Sequence, residues 1–248
     1  MRTWRKTTDR PLRSARKSLA IWAFAHWAGV PVPWRVVRQR DAKALLAYEH
    51  ARLVALAEAG ERVPPVLSFD GHTLVTGDVG AAVDAQLHAW PPTENARALA
   101  LMQAVSADLA VFHAHGHWHG GAQARNITWD GQHFARLDFE EPLVPALPLG
   151  LVQAYDVLQL LLSLARLLEA HGPEGASAVL RAYVQAAHAA HAPHLVGQLR
   201  ALVLPLLPKL SRLSRWAAWS ARLDTSREVK RLRTVLAGLQ TLVAETAP

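Results

Sequence analysis

The 248-residue chain is long enough for one large or two small domains, and 51% of its residues are apolar, so it is neither disordered nor fibrous. Its formal charge of +7 is unevenly distributed: residues 1–43 carry net +9, residues 44–199 net −8 and residues 200–233 net +7. The basic ends predict contact with an anionic surface, either a membrane face or nucleic acid. The absence of cysteine excludes disulfides, zinc fingers and thiol catalysis.

Near the N-terminus, apolar side chains recur at helical spacing over residues 19–27, after a basic stretch at 10–17. This pattern predicts a short amphipathic helix that ends at Gly29 and the prolines that follow it. A secretory leader is the weaker alternative, because the apolar run is short, contains Trp22 and is interrupted by His26. We find no run of about 20 apolar residues without proline or charge, so we expect no membrane-spanning helix.

The next elements alternate between β-type and helical patterns. Residues 34–38 are β-branched and predict a short strand, and residues 42–59 have helical spacing with Gly60 as the stop signal. The runs 63–67 and 73–76 flank Asp70-Gly71, the dipeptide of a tight hairpin turn. The later chain predicts, in order, a helix over 95–115, a hairpin over 127–129 and 134–137, and helices over 153–170 and 177–191. A small mixed part therefore precedes a mostly helical part.

Four histidines alternate with other residues at the end of the long predicted helix: His113, His115, His117 and His119. On an extended segment their neutral imidazoles would lie on one side and could bind a metal ion. Alternatively, His113 and His115 end the helix and bond to its last carbonyl groups. The sequence leaves both interpretations open.

Several motifs in this region, taken in order, resemble the protein-kinase-like superfamily. A helix ending in Phe112-His113, then His119, Asn126-Ile127, a hairpin and Leu137-Asp138-Phe139 look like a catalytic loop followed by a metal-binding loop. Upstream, a helix with Glu49 and two strands are similar to a small lobe and hinge. Downstream, Tyr155-Asp156 resembles the start of the helix that braces the catalytic loop. The resemblance covers about residues 42–168 and is closest to the bacterial branch with lipopolysaccharide-core sugar kinases and aminoglycoside and choline phosphotransferases.

This resemblance implies an α+β, two-lobed protein-kinase-like fold. Residues 1–80 would form a reduced, β-containing small lobe with a basic amphipathic lead-in, and residues 81–248 a mostly helical large lobe. The implied activity is transfer of phosphate from ATP, with Mg²⁺, to a hydroxyl group of a sugar, a lipid-linked molecule or another small substrate, a protein hydroxyl being a further option. The expected location is the cytoplasm or, peripherally, the inner membrane face. The alternative is a pseudokinase that binds or scaffolds without efficient transfer.

The resemblance also assigns roles to individual residues. It implies catalytic roles for His119, Gln123, Asn126 and Asp138, and metal binding by Asn126, Asp138 and Glu140. Glu140 would be a second metal contact or would pair with Arg125 or Arg136. His119 is better explained as a brace beneath the metal-binding loop than as a base. Asp156 would be a structural brace that accepts hydrogen bonds from backbone amides around His119. The nucleotide-binding residues would be Arg38, Lys43, Glu49 and Asp78.

Two departures from the family pattern affect function. The place two residues after His119, where the family has a catalytic aspartate, is Gly121, and Gln123 stands where lysine is common. We also find no glycine-rich phosphate loop before Glu49 and no clear strand lysine to pair with it. The nearest cations are Arg38, Arg40 and Lys43, which either hold nucleotide phosphates or form a solvated basic face.

The C-terminal region combines an apolar stripe over residues 199–217 with cations and tryptophans: Lys209, Arg212, Arg215, Trp216 and Trp219. This combination describes either an interfacial membrane helix or a helix packed on the large lobe. An anionic membrane surface is therefore a candidate partner. Nucleic acid is an unlikely partner, because the aromatic residues lie in apolar stripes and not on an exposed strand platform.

Overall fold

A computed structural model of the chain describes residues 2–9, 14–38, 41–144, 146–217, 219 and 225–245. The described residues form an α+β structure that is 65% helical, with two small antiparallel sheets. The first sheet contains β1 (Thr3–Thr7), β2 (Val66–Phe69) and β3 (Thr73–Gly77), in the order β1-β3-β2. The mixed α+β class predicted from the sequence is confirmed.

The predicted hairpin around Asp70 is present as β2 and β3. The Asp70 carboxylate accepts hydrogen bonds from the backbone nitrogens of His72 (2.8 Å) and Thr73 (2.6 Å). Gly71 has a φ of +85°, which a glycine adopts without steric cost. The first strand begins at Val66, later than predicted, because the two preceding prolines have no N–H to donate to a sheet.

Strand β1 was not predicted. It pairs antiparallel with β3 over its whole length, with Lys6 opposite Leu74. Helix α1 (Ala15–Trp27), which was predicted, follows it. The helix predicted after it is also confirmed as α3 (Ala42–Glu58), which starts at Asp41, whose carboxylate caps the first turn. The buried face of α3 includes Glu49 among leucines and contacts β2 and β3.

The strand predicted over residues 34–38 is wrong, because these residues form the single helical turn α2 (Trp34–Val37). Packing decides this: Val37 is buried with Ile21 and Ala25 of α1 against Leu143, Leu147, Val152 and Tyr155. Residues of α1 and α2 thus pack in one hydrophobic cluster with residues 143–155 of the later, mostly helical part of the chain.

The second sheet contains β4 (Ala81–Ala82), β5 (Ile127–Trp129) and β6 (Phe134–Arg136), in the order β4-β5-β6. The predicted hairpin of β5 and β6 is confirmed, and the Asp130 carboxylate holds its turn through the backbone nitrogens of Gln132 and His133. Residues 77–80 connect the two sheets directly, and Gly80 in this connection has a φ of +106°. The two sheets consequently face a common cleft.

The remaining helices are α4 (Val83–Ala89), α5 (Asn95–Ala114), α6 (Leu149–Leu168), α7 (Gly172–Ala189), α8 (His194–Ala217) and α9 (Arg227–Glu245). The helices predicted over 95–115, 153–170 and 177–191 are confirmed, with small shifts at their ends. The main core lies where α5 packs on α7 and where α6 and α9 pack on their neighbours.

One helix has the length and composition of a membrane span, contrary to our expectation. The segment Leu149–His171 qualifies by these two criteria, but 61% of its apolar window is buried inside the protein. Its neighbours include α8 and α9. The core helix of a soluble protein meets the same two criteria, so this segment is weak evidence for a membrane span.

Candidate functional site

A cleft of about 720 Å³ lies where the two sheets approach each other. One wall comes from β1 and α3, the second from residues 76–82, and the third from the β5–β6 hairpin and the residues on either side of it. Apolar side chains line part of the cleft, among them Leu53, Pro64 and Leu137. Charged and amide side chains line the remainder.

Lys6 on β1 is the centre of the charged part of the cleft. Its Nζ lies 2.5 Å from Glu49 Oε1, 2.5 Å from Asp138 Oδ1 and 3.2 Å from Glu140 Oε1. The three carboxylates come from α3 and from the segment after β6. Because β1 pairs with β3 while α3 packs on the same sheet, one ammonium group reaches all three.

Burial makes Glu49 the most constrained of these carboxylates. Its side chain is only 3% exposed, and its Oε2 has no hydrogen-bond partner among the described residues. Desolvation raises the pKa of Glu49, and attraction to Lys6 only partly opposes that rise. For Lys6, desolvation lowers the pKa but attraction to Glu49 and Asp138 outweighs it, so the pKa is raised. Lys6 therefore stays charged.

Asp138 is held in an unusual backbone conformation, with a φ of 69°. Non-glycine residues seldom adopt positive φ, although aspartate is among those that tolerate it, and strained backbone positions cluster at functional sites. Desolvation is the largest single effect and raises the pKa of its carboxyl group, but attraction to Lys6 and hydrogen bonds with Glu140 and Lys6 together outweigh it and lower the pKa to about 2. Asp138 is consequently an ionised oxygen donor at neutral pH.

The β5–β6 hairpin brings Asn126 and Asp138 to the same wall. Asn126 directly precedes β5, Asp138 follows β6, and the Leu137 N–H donates to the Asn126 carbonyl over 2.8 Å. Both residues line the cleft. The Asn126 amide nitrogen donates to the Gly121 carbonyl over 3.1 Å, so Oδ1 is its ligand atom for a cation.

His119 and Asp156 lie beneath this wall and are both buried. Asp156 accepts hydrogen bonds from the backbone nitrogens of His119 (2.7 Å) and Ala122 (3.4 Å), which is the contact expected for it. The His119 ring stacks on Phe139, and its Nε2 lies 2.7 Å from the Leu137 carbonyl oxygen. Desolvation lowers the pKa of His119, so the ring is a neutral donor to Leu137. This geometry is that of a brace and not of a base.

Gln123 and Gly121 differ in what they offer the cleft. The Gln123 side chain donates to Gln159 over 2.9 Å and is not among the residues that line the cleft. Gly121 does not have a positive φ, and a methyl group built on it would approach only His119 Nδ1, at 4.0 Å. A Cβ atom at position 121 would thus meet no close contact and no backbone strain.

The two predicted nucleotide-binding cations are not among the residues that line the cleft. Arg38 follows α2 and Lys43 begins α3; both are exposed and neither lines the cleft. Arg40 lies outside the described residues. The cation that contacts Glu49 is Lys6 on β1. The signal that could have found it is the short run Thr3-Trp4-Arg5-Lys6-Thr7, in which β-forming residues flank a lysine.

Glu49 and Asp78, the other two predicted nucleotide-binding residues, do line the cleft. Asp78 lies in the connection between the sheets, and its carboxylate accepts from Trp4 Nε1 over 3.4 Å. Its backbone nitrogen donates to the Arg2 carbonyl over 3.1 Å, which ties this connection to the start of β1.

Glu140 was predicted to bind metal or to pair with Arg125 or Arg136. It lies beside Lys6, and its Oε1 forms with Glu49 and Asp138 a group of carboxylate oxygens within 4.8 Å of one another. Arg136 is buried, pairs with Asp108 and stacks on Phe112. Arg125 lines the cleft.

The four alternating histidines do not share one partner, although two of them face Glu61. His113 Nδ1 lies 2.8 Å from the Tyr183 hydroxyl, and His115 Nδ1 lies 2.6 Å from Glu61, which His117 also faces at 3.7 Å. His119 contacts Leu137. Among the described residues, the group with ligand atoms close enough for a metal ion contains none of these histidines. The interpretation of this row as a metal site is not supported.

No protein-family model matches this chain, and a search of curated proteins finds no relative of it. Its function must therefore be argued from the geometry of the cleft.

Proposed function

We propose that this protein is an atypical kinase-like phosphotransferase that binds ATP with Mg²⁺ in the cleft and transfers phosphate to a hydroxyl group of a sugar, lipid-linked or other small substrate. The observation that carries the proposal is the contact of Lys6 with both Glu49 and Asp138, at 2.5 Å each. Because ATP is a cytoplasmic nucleotide, the proposal places the cleft in the cytoplasm.

Protein kinases depend on an ion pair between a strand lysine and a helix glutamate, and on an aspartate and an asparagine that bind Mg²⁺. Here Lys6 is on a strand, Glu49 is on a helix, and Asn126 and Asp138 occur in the order that the family has. The resemblance in sequence and the geometry support the same function by separate routes.

The cleft has the size and polarity that a nucleotide needs. Small-molecule sites are usually about 300–1,000 Å³ and mostly apolar with a few polar groups, and this cleft is about 720 Å³. The nucleobase of ATP would contact Leu53, Pro64 and Ala82, and its phosphates would lie near Lys6. Lys6 would attract the phosphates as a point charge.

The oxygen donors near Lys6 suit Mg²⁺, which prefers carboxylate, amide and phosphate oxygens. Asn126 and Asp138 would hold the ion, with Glu140 as a further carboxylate. When bound, the ion would neutralise charge on the transferred phosphoryl group. Asp156 would contribute by fixing the loop before Asn126, and His119 by fixing Leu137, the residue before Asp138.

Thermal unfolding with and without Mg²⁺-ATP tests nucleotide binding. At a hundredfold excess over Kd, a ligand of the folded state contributes about 2.7 kcal/mol, or roughly 5–11 °C in a chain of this size. Asp138→Asn should abolish most of the rise and still fold, because asparagine tolerates positive φ. Glu58→Gln, at an exposed site late in α3, is the control and should keep the rise. No rise in the unmutated protein, or a rise that survives Asp138→Asn, would overturn the proposal.

The absence of a carboxylate at Gly121 favours the second candidate, a pseudokinase that binds nucleotide without efficient transfer. Gly121→Asp separates the two, because a Cβ atom at this position meets no close contact and the backbone there has no positive φ. A positioned base contributes about 10²–10⁴-fold to a rate, so ATP turnover should rise by a factor in that range if the other groups are assembled. Nucleotide binding with turnover that stays at background in a folded Gly121→Asp variant identifies the pseudokinase.

A further inference from the structure

Helix α8 begins inside the core and ends outside it. Leu199, Leu202 and Leu206 are buried, whereas Leu213 is 44% and Trp216 is 65% exposed. Trp219, whose N–H donates to the Trp216 carbonyl over 3.1 Å, is 91% exposed. The apolar stripe over residues 199–217 therefore matches a helix packed on the protein in its first half and an interfacial membrane helix in its last turns. The first half packs in the core, and the last turns present apolar side chains to solvent.

Cations surround these exposed apolar side chains. Lys209, Arg212 and Arg215 are all exposed on the same turns, and they complete what we call the tryptophan–arginine patch: Lys209, Arg212, Leu213, Arg215, Trp216 and Trp219. The sequence contains no acidic residue between Glu174 and Asp224. The positive charge of the patch is thus not compensated along its own helix.

Two tertiary contacts bring more of the basic and aromatic residues to this end of the protein. Lys209 Nζ donates to the Trp27 carbonyl over 3.3 Å, which places the end of α1 and its exposed Trp27 beside the patch. Arg233 Nε donates to Ser214 Oγ over 3.3 Å, which places the first half of α9 beside the last turns of α8. That half of α9 carries the exposed residues Arg227, Lys230 and Arg231.

We propose that the tryptophan–arginine patch docks the protein on an anionic membrane surface. Tryptophan side chains are favoured at the interface between headgroups and acyl chains, and lysine and arginine are attracted to anionic headgroups. The patch supplies both on the last turns of α8 and just beyond them, and Arg233 brings the basic first half of α9 beside it. This function is separate from the chemistry of the cleft.

Other occupants fit the patch less well. A second copy of the chain would oppose one positive patch to another, which costs free energy. Single-stranded nucleic acid needs aromatic rings on which bases stack along a groove, whereas here Leu213 lies between Arg212 and Arg215 near the end of α8. An anionic lipid surface satisfies both the charge and the apolar side chains.

Flotation of the full chain with lipid vesicles tests the proposal. We expect binding to phosphatidylcholine vesicles containing about one third phosphatidylglycerol, weakening between about 0.05 and 0.5 M salt, and little binding to phosphatidylcholine alone. Each cation near an anionic leaflet contributes about fivefold to partitioning. The triple variant Lys209→Gln, Arg212→Gln, Arg215→Gln should therefore lose about a hundredfold.

The matched control removes the same residue types elsewhere: Lys43→Gln, Arg97→Gln and Arg166→Gln, all exposed outside the patch. It should bind within about threefold of the unmutated chain. An equal loss in both triple variants, equal binding to neutral and anionic vesicles, or no binding to either would overturn the proposal. So would displacement from anionic vesicles by a single-stranded oligonucleotide at equal phosphate concentration, which would identify nucleic acid as the occupant.

A second readout needs no charge variant. Brominated phosphatidylglycerol should quench tryptophan fluorescence of the unmutated chain, because Trp216 and Trp219 would enter the interface. The double variant Trp216→Ser, Trp219→Ser should lose most of this quenching while its melting temperature stays unchanged, since both side chains are exposed. Absence of quenching in the unmutated chain would overturn the proposal.

Discussion

Replacing Lys6 with methionine removes the ammonium group that contacts three carboxylates and keeps a side chain of similar length. Removing one partner of a buried ion pair costs about 3–5 kcal/mol. We expect the lower end, about 3 kcal/mol at neutral pH, because the Lys6 side chain is 22% exposed and water can solvate Asp138 and Glu140. Glu49, at 3% exposure, sets the cost. The melting temperature should fall by roughly 6–12 °C.

The loss of unfolding free energy in Lys6→Met should depend on pH. The burial of Glu49 sets the direction of this dependence. Desolvation already raises its pKa above the ordinary 4.5, and loss of Lys6 removes the attraction that opposes this rise. A carboxyl group with a raised folded-state pKa contributes stability that is fully present below its unfolded pKa and is lost as pH rises through the folded pKa. The penalty of Lys6→Met should consequently be larger at about pH 7 than at about pH 5.

Asp138 contributes in the opposite direction and at lower pH. In the unmutated protein its pKa is lowered from 3.8 to about 2, with desolvation outweighed by attraction to Lys6. Its contribution to stability is present above 3.8 and is lost as pH falls toward about 2. Lys6→Met also removes the attraction that lowers the pKa of Asp138, so Asp138 adds to the same pH dependence in the variant. Adding Glu49→Gln to Lys6→Met isolates the part that Glu49 contributes.

Urea unfolding at the two pH values measures both effects. Lys43→Met, at an exposed position on α3, is the matched control and should stay within about 0.5 kcal/mol. The double variant Lys6→Met, Glu49→Gln should recover about half of the loss, because it removes the uncompensated charge. A penalty below about 0.5 kcal/mol for Lys6→Met, or one equal at both pH values, would refute the assignment of Lys6 as the counter-ion of Glu49.

Two further predictions concern the loop before Asn126. Asp156→Ala leaves two buried backbone amides without their acceptor and should lower the free energy of unfolding, measured in urea, by about 3 kcal/mol. Asp156→Asn keeps an acceptor and should cost less. Equal costs for the two variants would show that these hydrogen bonds contribute little. Gly120→Ala should lower the melting temperature more than Gly116→Ala does. Both glycines have positive φ, but a methyl group at Gly120 would lie 2.8 Å from Glu141 Cβ, whereas one at Gly116 meets nothing within 4 Å. Similar melting temperatures for the two alanine variants would contradict the close approach.

Local patterns in the sequence determined most elements of this protein. The helical spacing of apolar residues predicts helices α3, α5, α6 and α7. Both hairpins follow from Asp-Gly turns, in which the aspartate carboxylate accepts hydrogen bonds from backbone nitrogens of the same turn. The approach of Asn126 to Asp138 was also predictable, because a hairpin returns the chain to its starting point. The hydrogen bonds of Asp156 to backbone amides were also predictable, because a carboxylate buried among leucines needs hydrogen-bond donors.

Only the tertiary structure decided the partner of Glu49, the helical form of residues 34–37 and the two environments of α8. Strand β1 lies at an edge of its sheet and is mostly exposed, so it has no alternating apolar pattern, and its pairing joins residues about 70 positions apart. Residues 34–37 are β-branched in part, but burial of Val37 beside α1 overrides that preference. Along α8 the apolar spacing continues beyond the point where the core ends, because spacing describes one helix and burial depends on its neighbours.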